Sequence, residues 1–447
     1  MNRTEGMAPE WQHLLGAETR RSASVPESRN VKAATEGPHA STRVEKVGQA
    51  VAGFWGPVVL LDLVMGFSLM FVTTALPGGL VGGLATGVVM VAVSACRRAK
   101  LTVPGGGLLV IAFLALMAFL VLVSVFHGMP WQQRLLKFFI LFAVCVVIAT
   151  GRIDIRSFVI GACMSACANV LLFYAGLTEN NYPPYLTGFY GDKNVAGMYY
   201  AIWGILGLAV LSPRWRIPWF FLSTWFVFLT GSRTALGGIV LAALWVLLRN
   251  RIGVAYRIAL AAIGYAVLVF SINNYASSSA FGDRTGTDWY RAQIDQAMEI
   301  KASLTPWTGL GLNQGFVVIG DRRQWFHDSY LQAFVEGGHV FLWSTVLAFV
   351  LLGLGLLDRR LHVSWEMLTA EATVIVVLVC AWKLGEVFMT VGAFIVLGIC
   401  IAYRLGKPAA ASNLAWRAAE IAPPRASNAA PLHRGAPVGA SRSEVQA

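Results

Sequence analysis

Charged residues are scarce in this sequence, and their scarcity sets the class of protein. Only 13% of the 447 residues are Asp, Glu, Lys or Arg, whereas 56% are hydrophobic and the mean hydropathy is +0.62. Soluble domains carry roughly 25% charged residues. The deficit excludes an ordinary water-soluble globule and predicts one all-α polytopic membrane domain.

Metal-ligand spacings and basic stripes are missing as well. The six cysteines all lie in apolar stretches, which predicts buried thiols rather than a disulfide framework, and no Cys/His spacing is typical of zinc. The tails account for four of the twelve net positive charges, and the rest are dispersed among loops between apolar runs. We therefore expect no nucleic acid as a partner.

Hydrophobic runs divide the chain into three parts. Residues 1–50 and 405–447 are polar or rich in Pro, Ala and Ser, which predicts disordered tails. Residues 51–404 form the membrane domain, with about twelve segments of spanning length. The predicted segments are 54–75, 78–96, 105–126, 135–150, 157–178, 195–212, 217–231, 234–249, 253–272, 329–357, 365–384 and 387–404.

The distribution of Lys and Arg predicts the orientation of this domain. Alternate short connections carry twelve cations, and the intervening ones carry five: Arg134, Lys137, Lys193, Arg233 and Lys383. Cytoplasmic loops are the ones enriched in cations. An even number of spans with both termini cytoplasmic satisfies this rule, and the expected location is a bacterial inner (cytoplasmic) membrane.

One long hydrophilic connection, residues 273–328, then lies on the outer, periplasmic side. Loops of this length are usually functional or disordered. A helix is predicted from about Thr287 to Leu304, where Pro306 follows. Its expected apolar face consists of Trp289, Ala292, Ala297, Ile300 and Leu304.

Cations on the outer side run against the orientation rule, so each needs a reason. Arg233, in Gly231-Ser232-Arg233-Thr234, either extends to lipid phosphates or binds a phosphate or pyrophosphate bidentately. Arg284 and Arg291 lie seven residues apart and would share one helical face. Arg291 is alternatively paired with Asp295 at i+4.

His327 and its neighbour Asp328 lie where this loop re-enters the membrane domain. The histidine is either structural or a base that takes a proton from a hydroxyl, oriented by Asp328 or another carboxylate. Asp192 and Asn194, before another segment, are both residues that cap helices.

Ionisable residues within the apolar segments are functional candidates by default, because they are costly in a membrane. Asp62 lies midway along the first segment and would have to face the interior of the bundle. The others, which the sequence does not rank, are Glu336, His339, Lys383 and Glu386.

Taken in order, these motifs resemble the O-antigen ligase and O-antigen polymerase superfamily of bacterial membrane glycosyltransferases. The resemblance covers roughly residues 185–345, and one position departs from it, because Asp328 stands where the family usually has asparagine. It rests on Gly191-Asp192-Lys193-Asn194, Ser232-Arg233-Thr234, Arg291 followed by Pro306-Trp307-Thr308-Gly309-Leu310-Gly311, and His327-Asp328-Ser329-Tyr330-Leu331 with Glu336-Gly337-Gly338.

The resemblance implies a GT-C-like helical fold and an inverting, metal-independent glycosyltransferase without a cofactor. The donor would be a glycan on undecaprenyl pyrophosphate, and the acceptor lipid A-core or a growing polysaccharide, at the periplasmic face of the lipid bilayer. By position, Arg233 and Arg291 would bind the pyrophosphate, and His327 would accept the proton of the acceptor hydroxyl. From charge and location we add Arg284 and Lys193 as pyrophosphate contacts. Further expected substrate-binding residues are Asp192, Asn194, Asp328 and Tyr330.

Three questions stay open at this point. Ligase, polymerase and protein-glycosylating branches differ in the acceptor, which the sequence does not reveal. A flippase or transporter of the same lipid-linked oligosaccharide is the alternative; it would place ionisable groups in broken helices near the middle of the membrane. A membrane scaffold is a third option, although it gives no reason for outer cations to collect around one histidine.

Overall fold

A computed structural model describes residues 58–75, 81–275 and 285–409, and most of this part of the chain is helical. The predicted tail 1–50 lies outside the described residues. The helices are α1 Leu60–Phe67, extended by a 3₁₀ turn Ser68–Phe71, α2 Gly82–Ala95, α3 Gly106–Phe126, α4 Gln132–Ala149, α5 Ile155–Tyr174, α6 Lys193–Val210, α7 Pro213–Leu229, α8 Arg233–Leu248, α9 Val254–Tyr275, α10 Thr285–Ser303, α11 Ser329–Leu347 with a π-helical continuation Ala348–Leu354, α12 Trp365–Cys380 and α13 Val391–Leu405.

Short strands form two small antiparallel pairs. β1 Leu101–Thr102 pairs with β4 Lys407–Pro408, so the first residues of the predicted C-terminal tail are ordered; residues 410–447 lie outside the described ranges. β2 Phe316–Ile319 and β3 Arg322–Trp325 form a hairpin within the long outer connection. This hairpin, which periodicity does not predict, leads directly into His327.

The helices have the length and surface of a membrane domain. Every one of the twelve predicted segments overlaps a helix, and within the described residues four helices are long and apolar enough to cross a membrane. One of them, α3, leaves Leu108, Ile111, Leu122 and Phe126 between 63% and 84% exposed. Apolar surface this extensive is typical of contact with lipid rather than water. The all-α class is thus confirmed, whereas twelve crossings remain a prediction.

Helix α6 lies at the centre of the bundle because glycines let its neighbours approach closely. A Cβ added at Gly197 would lie 2.7 Å from the Ser232 side chain, and one at Gly204 would lie 2.6 Å from Ser223 Oγ. Small residues at such contacts are usual between membrane helices. The contacts fix the N-terminal end of α6, and Lys193 with it, beside the start of α8, where Arg233 lies.

Helix α11 is broken at Gly337 and Gly338, and the preceding loop fills the break. Gly338 has φ +61° and ψ −158°, a conformation almost restricted to glycine. The backbone N–H groups of Leu310 and Gly311 donate to the carbonyls of Val335 and Glu336, at 2.8 and 3.0 Å. The stretch Pro306–Gly311 therefore has a structural role, since it satisfies backbone groups that the break leaves without helical partners.

The long connection contains the predicted helix, but with a different buried face. In α10, Ile294 and Met298 are 2% and 3% exposed and pack with Val317 and Phe326. The predicted apolar face is wrong at Ile300 and Leu304, which are 53% and 78% exposed, whereas Ala297 does pack against the buried cluster; the side chain of Trp289 lies outside the described residues. Lys301 instead turns inward and donates to the carbonyl oxygens of Gln314 and Phe316, both at 2.7 Å.

Candidate functional site

His327 lies on the surface between β3 and α11, above the turn that joins α12 to α13. The turn passes directly beneath it, since a Cβ added at Gly385 would collide with the Phe326 carbonyl oxygen and lie 3.8 Å from His327 Cα. His327 thus lies at the end of the helical bundle, on a segment whose backbone packs against the α12–α13 turn.

Asp328 caps α11. Its Oδ1 accepts hydrogen bonds from the backbone N–H groups of Tyr330 and Leu331, at 2.8 and 2.9 Å. Burial raises the pKa of Asp328 to about 6, while the two N–H donors and the Lys383 ammonium act in the opposite direction. A carboxyl group that titrates near neutrality therefore neighbours the candidate base.

Ser329 fastens this segment to the α12–α13 turn. Its backbone N–H donates to the Ala381 carbonyl at 2.8 Å, its hydroxyl donates to the Leu384 carbonyl at 2.6 Å, and the same oxygen accepts from Val387 N–H at 2.8 Å. Tyr330, a predicted substrate contact, donates from its hydroxyl to the Leu378 carbonyl at 2.9 Å. Sequence reasoning missed Ser329, because nothing in its pattern distinguishes it.

A buried ionic cluster lies below the turn and joins α4, α11 and the turn itself. Arg134 is 6% exposed, and its guanidinium meets Glu336 at 2.9 Å and also contacts Glu386. Lys137 Nζ lies 2.8 Å from Glu386. Burial alone would raise the pKa of Glu386, but Arg134 and Lys137 lower it to about 2. Among the described residues, Arg134, Glu336 and Glu386 line a small cavity together with Ser329 and Phe388.

Sequence analysis identified the members of this ionic cluster separately but did not pair them. Arg134 and Lys137 appeared as outer cations, and Glu336 and Glu386 as unranked acids. The available signal was only that both kinds of charge occur near the same ends of apolar segments. Glu336 and Glu386 lie 202 and 252 positions from Arg134 in the sequence, a separation that no local pattern can reveal.

A second group of cations lies at the start of α6 and α8. Asp192 caps α6, as predicted, by accepting from the N–H groups of Asn194 and Val195 at 2.8 and 3.0 Å. Lys193 is buried, with Nζ 4.3 Å from the centre of the Tyr185 ring. That ring packs on Gly231, two residues before Arg233.

The two cationic residues occupy equivalent places in neighbouring helices. Ser232 Oγ accepts from Ala235 N–H at 3.4 Å and caps α8, of which Arg233 is the first residue; Lys193 is the first residue of α6. Helix dipoles favour anions at N-termini, and here they add to the two side-chain cations, while Asp192 and Ser232 accept the first N–H groups. The arrangement therefore suits a phosphate-type ligand.

Both groups of residues lie at one end of the bundle. A Cβ added at Gly392, the second residue of α13, would lie 2.7 Å from the ring of Tyr199 in α6. The N-terminal ends of α6 and α13 are therefore on the same side. The turn that precedes α13 is the one against which the His327–Ser329 segment packs.

The remaining predicted cations are placed only in part. Arg284 lies outside the described residues, and Arg291 is in α10, in a stretch whose side chains are not described. Four residues after Arg291, the Asp295 carboxylate lies 4.0 Å from Lys383 Nζ in the α12–α13 turn. One helical turn separates Arg291 from Asp295. The backbone at Arg291 thus runs close to the turn beneath His327.

Asp62, a functional candidate in the sequence, is buried and paired with Arg97. It lies in the first turn of α1, contacts Arg97 and accepts the Asp154 backbone N–H at 2.8 Å. Arg97 also donates to the Arg152 carbonyl at 3.1 Å, so the buried charge is compensated. His339 likewise packs within the bundle, 4.8 Å from the Phe334 ring.

In the described part of the chain, no three His, Cys, Asp or Glu side chains are grouped to hold a metal ion. The six cysteines are unpaired; Cys96 is exposed, contrary to the expectation that all are buried.

No family model, no curated protein and no solved structure matches this chain. The function must therefore be argued from the site itself.

Proposed function

We propose that this chain is an inverting glycosyltransferase that moves a glycan from undecaprenyl pyrophosphate to an acceptor hydroxyl at the outer face of a membrane. The observation that carries the proposal is the arrangement at one end of the bundle. Two cationic residues, Lys193 and Arg233, begin adjacent helices there. An exposed histidine, His327, precedes α11 and packs against the α12–α13 turn.

Each group has one chemical task in this mechanism. Lys193 and Arg233, with Arg291, hold the pyrophosphate and stabilise the charge that grows as it leaves. Fixed cations of this kind are worth about 3–4 kcal/mol each in a water-poor site. The acceptor oxygen attacks the anomeric carbon, and the bond from that carbon to the pyrophosphate oxygen breaks with its electron pair. His327 takes the hydroxyl proton.

The membrane arrangement belongs to the same proposal. Twelve crossings with both termini cytoplasmic place residues 273–328 and the α12–α13 turn in the periplasm, where lipid-linked glycans are presented. The exposed apolar surface of α3 supports contact with the bilayer. The acceptor, either lipid A-core or a growing polysaccharide, decides between a ligase and a polymerase.

Glycan profiling of a deletion strain tests this proposal. We expect short lipid-linked repeats to accumulate if the chain is a polymerase, and long chains beside a bare core if it is a ligase. The wild-type chain should restore the profile and Arg233→Ala should not. Arg322→Ala, which removes an exposed cation from the hairpin, is the matched control and should restore it. An unchanged glycan profile in the deletion strain would rule the proposal out.

A specific observation favours transport as the second candidate. The break in α11 places Glu336 and its partner Arg134 beside non-helical backbone, an arrangement common in transporters. Proteoliposomes loaded with lipid-linked glycan separate the two functions. A transferase yields a glycosylated acceptor and free lipid pyrophosphate, whereas a transporter changes only the leaflet in which the intact donor is found.

A further inference from the structure

We propose that Arg134 is a positioning residue, which holds the His327 segment in its working place through Glu386. This inference rests on the proposed function, because it assigns His327 the role of base. Arg134 lies in α4, far along the chain from His327, and nothing in its local sequence suggests this task.

The contacts form a continuous path from Arg134 to His327. The guanidinium contacts the Glu386 carboxylate, and the Glu386 backbone N–H donates to Gln332 Oε1 at 3.0 Å. The next residue, Val387, donates to Ser329 Oγ at 2.8 Å. Ser329 lies two residues after His327, and Gly385 packs directly under the Phe326 carbonyl.

Glu386 needs an external anchor because its backbone is unfavourable. It has φ +59°, in the left-handed region that non-glycine residues seldom adopt. Strained residues persist only where surrounding contacts hold them. Here Arg134 and Lys137 supply those contacts, so the shape of the turn depends on the ionic cluster.

Arg134 is better suited to this task than lysine would be. Its Nε and Nη2 reach the two oxygens of Glu336, at 3.2 and 2.9 Å, while Nη1 contacts Glu386. A planar guanidinium can bridge two carboxylates in a fixed geometry, whereas an ammonium acts as a point charge. The Arg134 guanidinium thus contacts both α11, through Glu336, and the α12–α13 turn, through Glu386.

A merely structural role is the competing explanation, and the chain offers a matched control. At the opposite end of the bundle Glu371 is buried between Arg249 and Arg404, at 3.0 and 2.9 Å. Glu371→Gln disturbs a buried ionic network of similar burial without touching the His327 segment. A loss of activity caused by reduced folding alone should appear both in the Glu371→Gln variant and in variants of the Arg134 cluster.

The test measures steady-state transfer by purified Arg134→Lys, Glu386→Gln and Glu371→Gln variants with lipid-linked donor, normalised to the folded fraction. Arg134→Lys and Glu386→Gln should lower kcat roughly 10–100-fold, as misplacement of a catalytic group does. Their KM for the donor should stay within about twofold, because the cations that bind pyrophosphate are elsewhere. Glu371→Gln should lower the melting temperature and leave kcat unchanged. Unchanged kcat in the first two variants, or an equal loss in Glu371→Gln, would overturn the proposal.

A second readout keeps the two proposals separable. If the wild-type chain shows no transfer, the proposed function fails, and the reactivity of His327 toward diethyl pyrocarbonate then decides the positioning role. His362, exposed at the opposite end, is the internal reference. We expect the ratio of the two modification rates to change in Arg134→Lys; an unchanged ratio would overturn the positioning role.

Discussion

Asp328 combines two roles at the scale of a single residue. It caps α11 through one carboxylate oxygen, and it neighbours the histidine proposed to take the acceptor proton. Its pKa of about 6 is above the ordinary value of 3.8. The folded protein therefore prefers the protonated form, and the stability that this preference contributes is lost as the pH rises from about 4 to about 6.

Asp328→Asn should remove this dependence on pH. The amide retains an acceptor oxygen for the cap and cannot ionise. We expect the melting temperature of the wild type to fall, relative to the variant, as the pH rises from about 4 to about 6. Loss of the negative charge beside His327 should also shift the acid limb of the kcat profile to lower pH. Parallel pH profiles for the two proteins would contradict this account.

The broken helix is the clearest feature at the scale of the element. Gly338 needs a conformation that other residues avoid, and a Cβ there would collide with the Trp307 carbonyl oxygen. The loop Pro306–Gly311 and the break therefore depend on each other. The backbone N–H groups of Leu310, Gly311 and His339 donate between the loop and the broken helix.

Gly338→Ala should destabilise the protein much more than Gly320→Ala. Both glycines have φ +61°, but nothing lies within 4 Å of a Cβ added at Gly320. Gly320→Ala should therefore lower the free energy of unfolding only by the cost of backbone strain, roughly 1–2 kcal/mol. Gly338→Ala adds a collision with the Trp307 carbonyl oxygen. Thermal unfolding in detergent compares them directly. Equal melting temperatures would mean that the loop and the break are not packed as described.

Some elements could be predicted from the sequence and others could not. The helices of the bundle were predictable because each is a long apolar run, and α10 because apolar residues recur at helical spacing before Pro306. The cap at Asp192 was predictable because an acidic residue directly precedes an apolar run. The buried face of α10 was not, since it depends on the hairpin that covers Ile294 and Met298. The Arg134 bridge was also out of reach, because its partners are brought together only by tertiary packing.

At the scale of the whole molecule, the account requires one end of the bundle to face outward. That end carries the hairpin, the α12–α13 turn and the starts of α6 and α8. The other end carries Asp62 with Arg97, the β1–β4 pair, and the network around Glu371. The asymmetry of loop cations predicts which end lies in the cytoplasm.

Cysteine labelling in intact cells tests this orientation. Thr308→Cys and Arg359→Cys place exposed thiols at opposite ends, in a background where the exposed Cys96 is replaced by serine. A membrane-impermeant maleimide should modify Thr308→Cys in intact cells and Arg359→Cys only after permeabilisation. The reverse pattern would overturn the arrangement and the proposed periplasmic site together.

Transfer by the purified chain in proteoliposomes distinguishes a glycosyltransferase from a protein without this activity. Wild-type protein, undecaprenyl-pyrophosphate-linked glycan and acceptor should yield a glycosylated acceptor and free lipid pyrophosphate without added metal. His327→Ala should lower kcat by roughly 100–10,000-fold, the usual contribution of a general base, and should unfold at the same temperature as the wild type. Full activity of His327→Ala in that assay would contradict the mechanism.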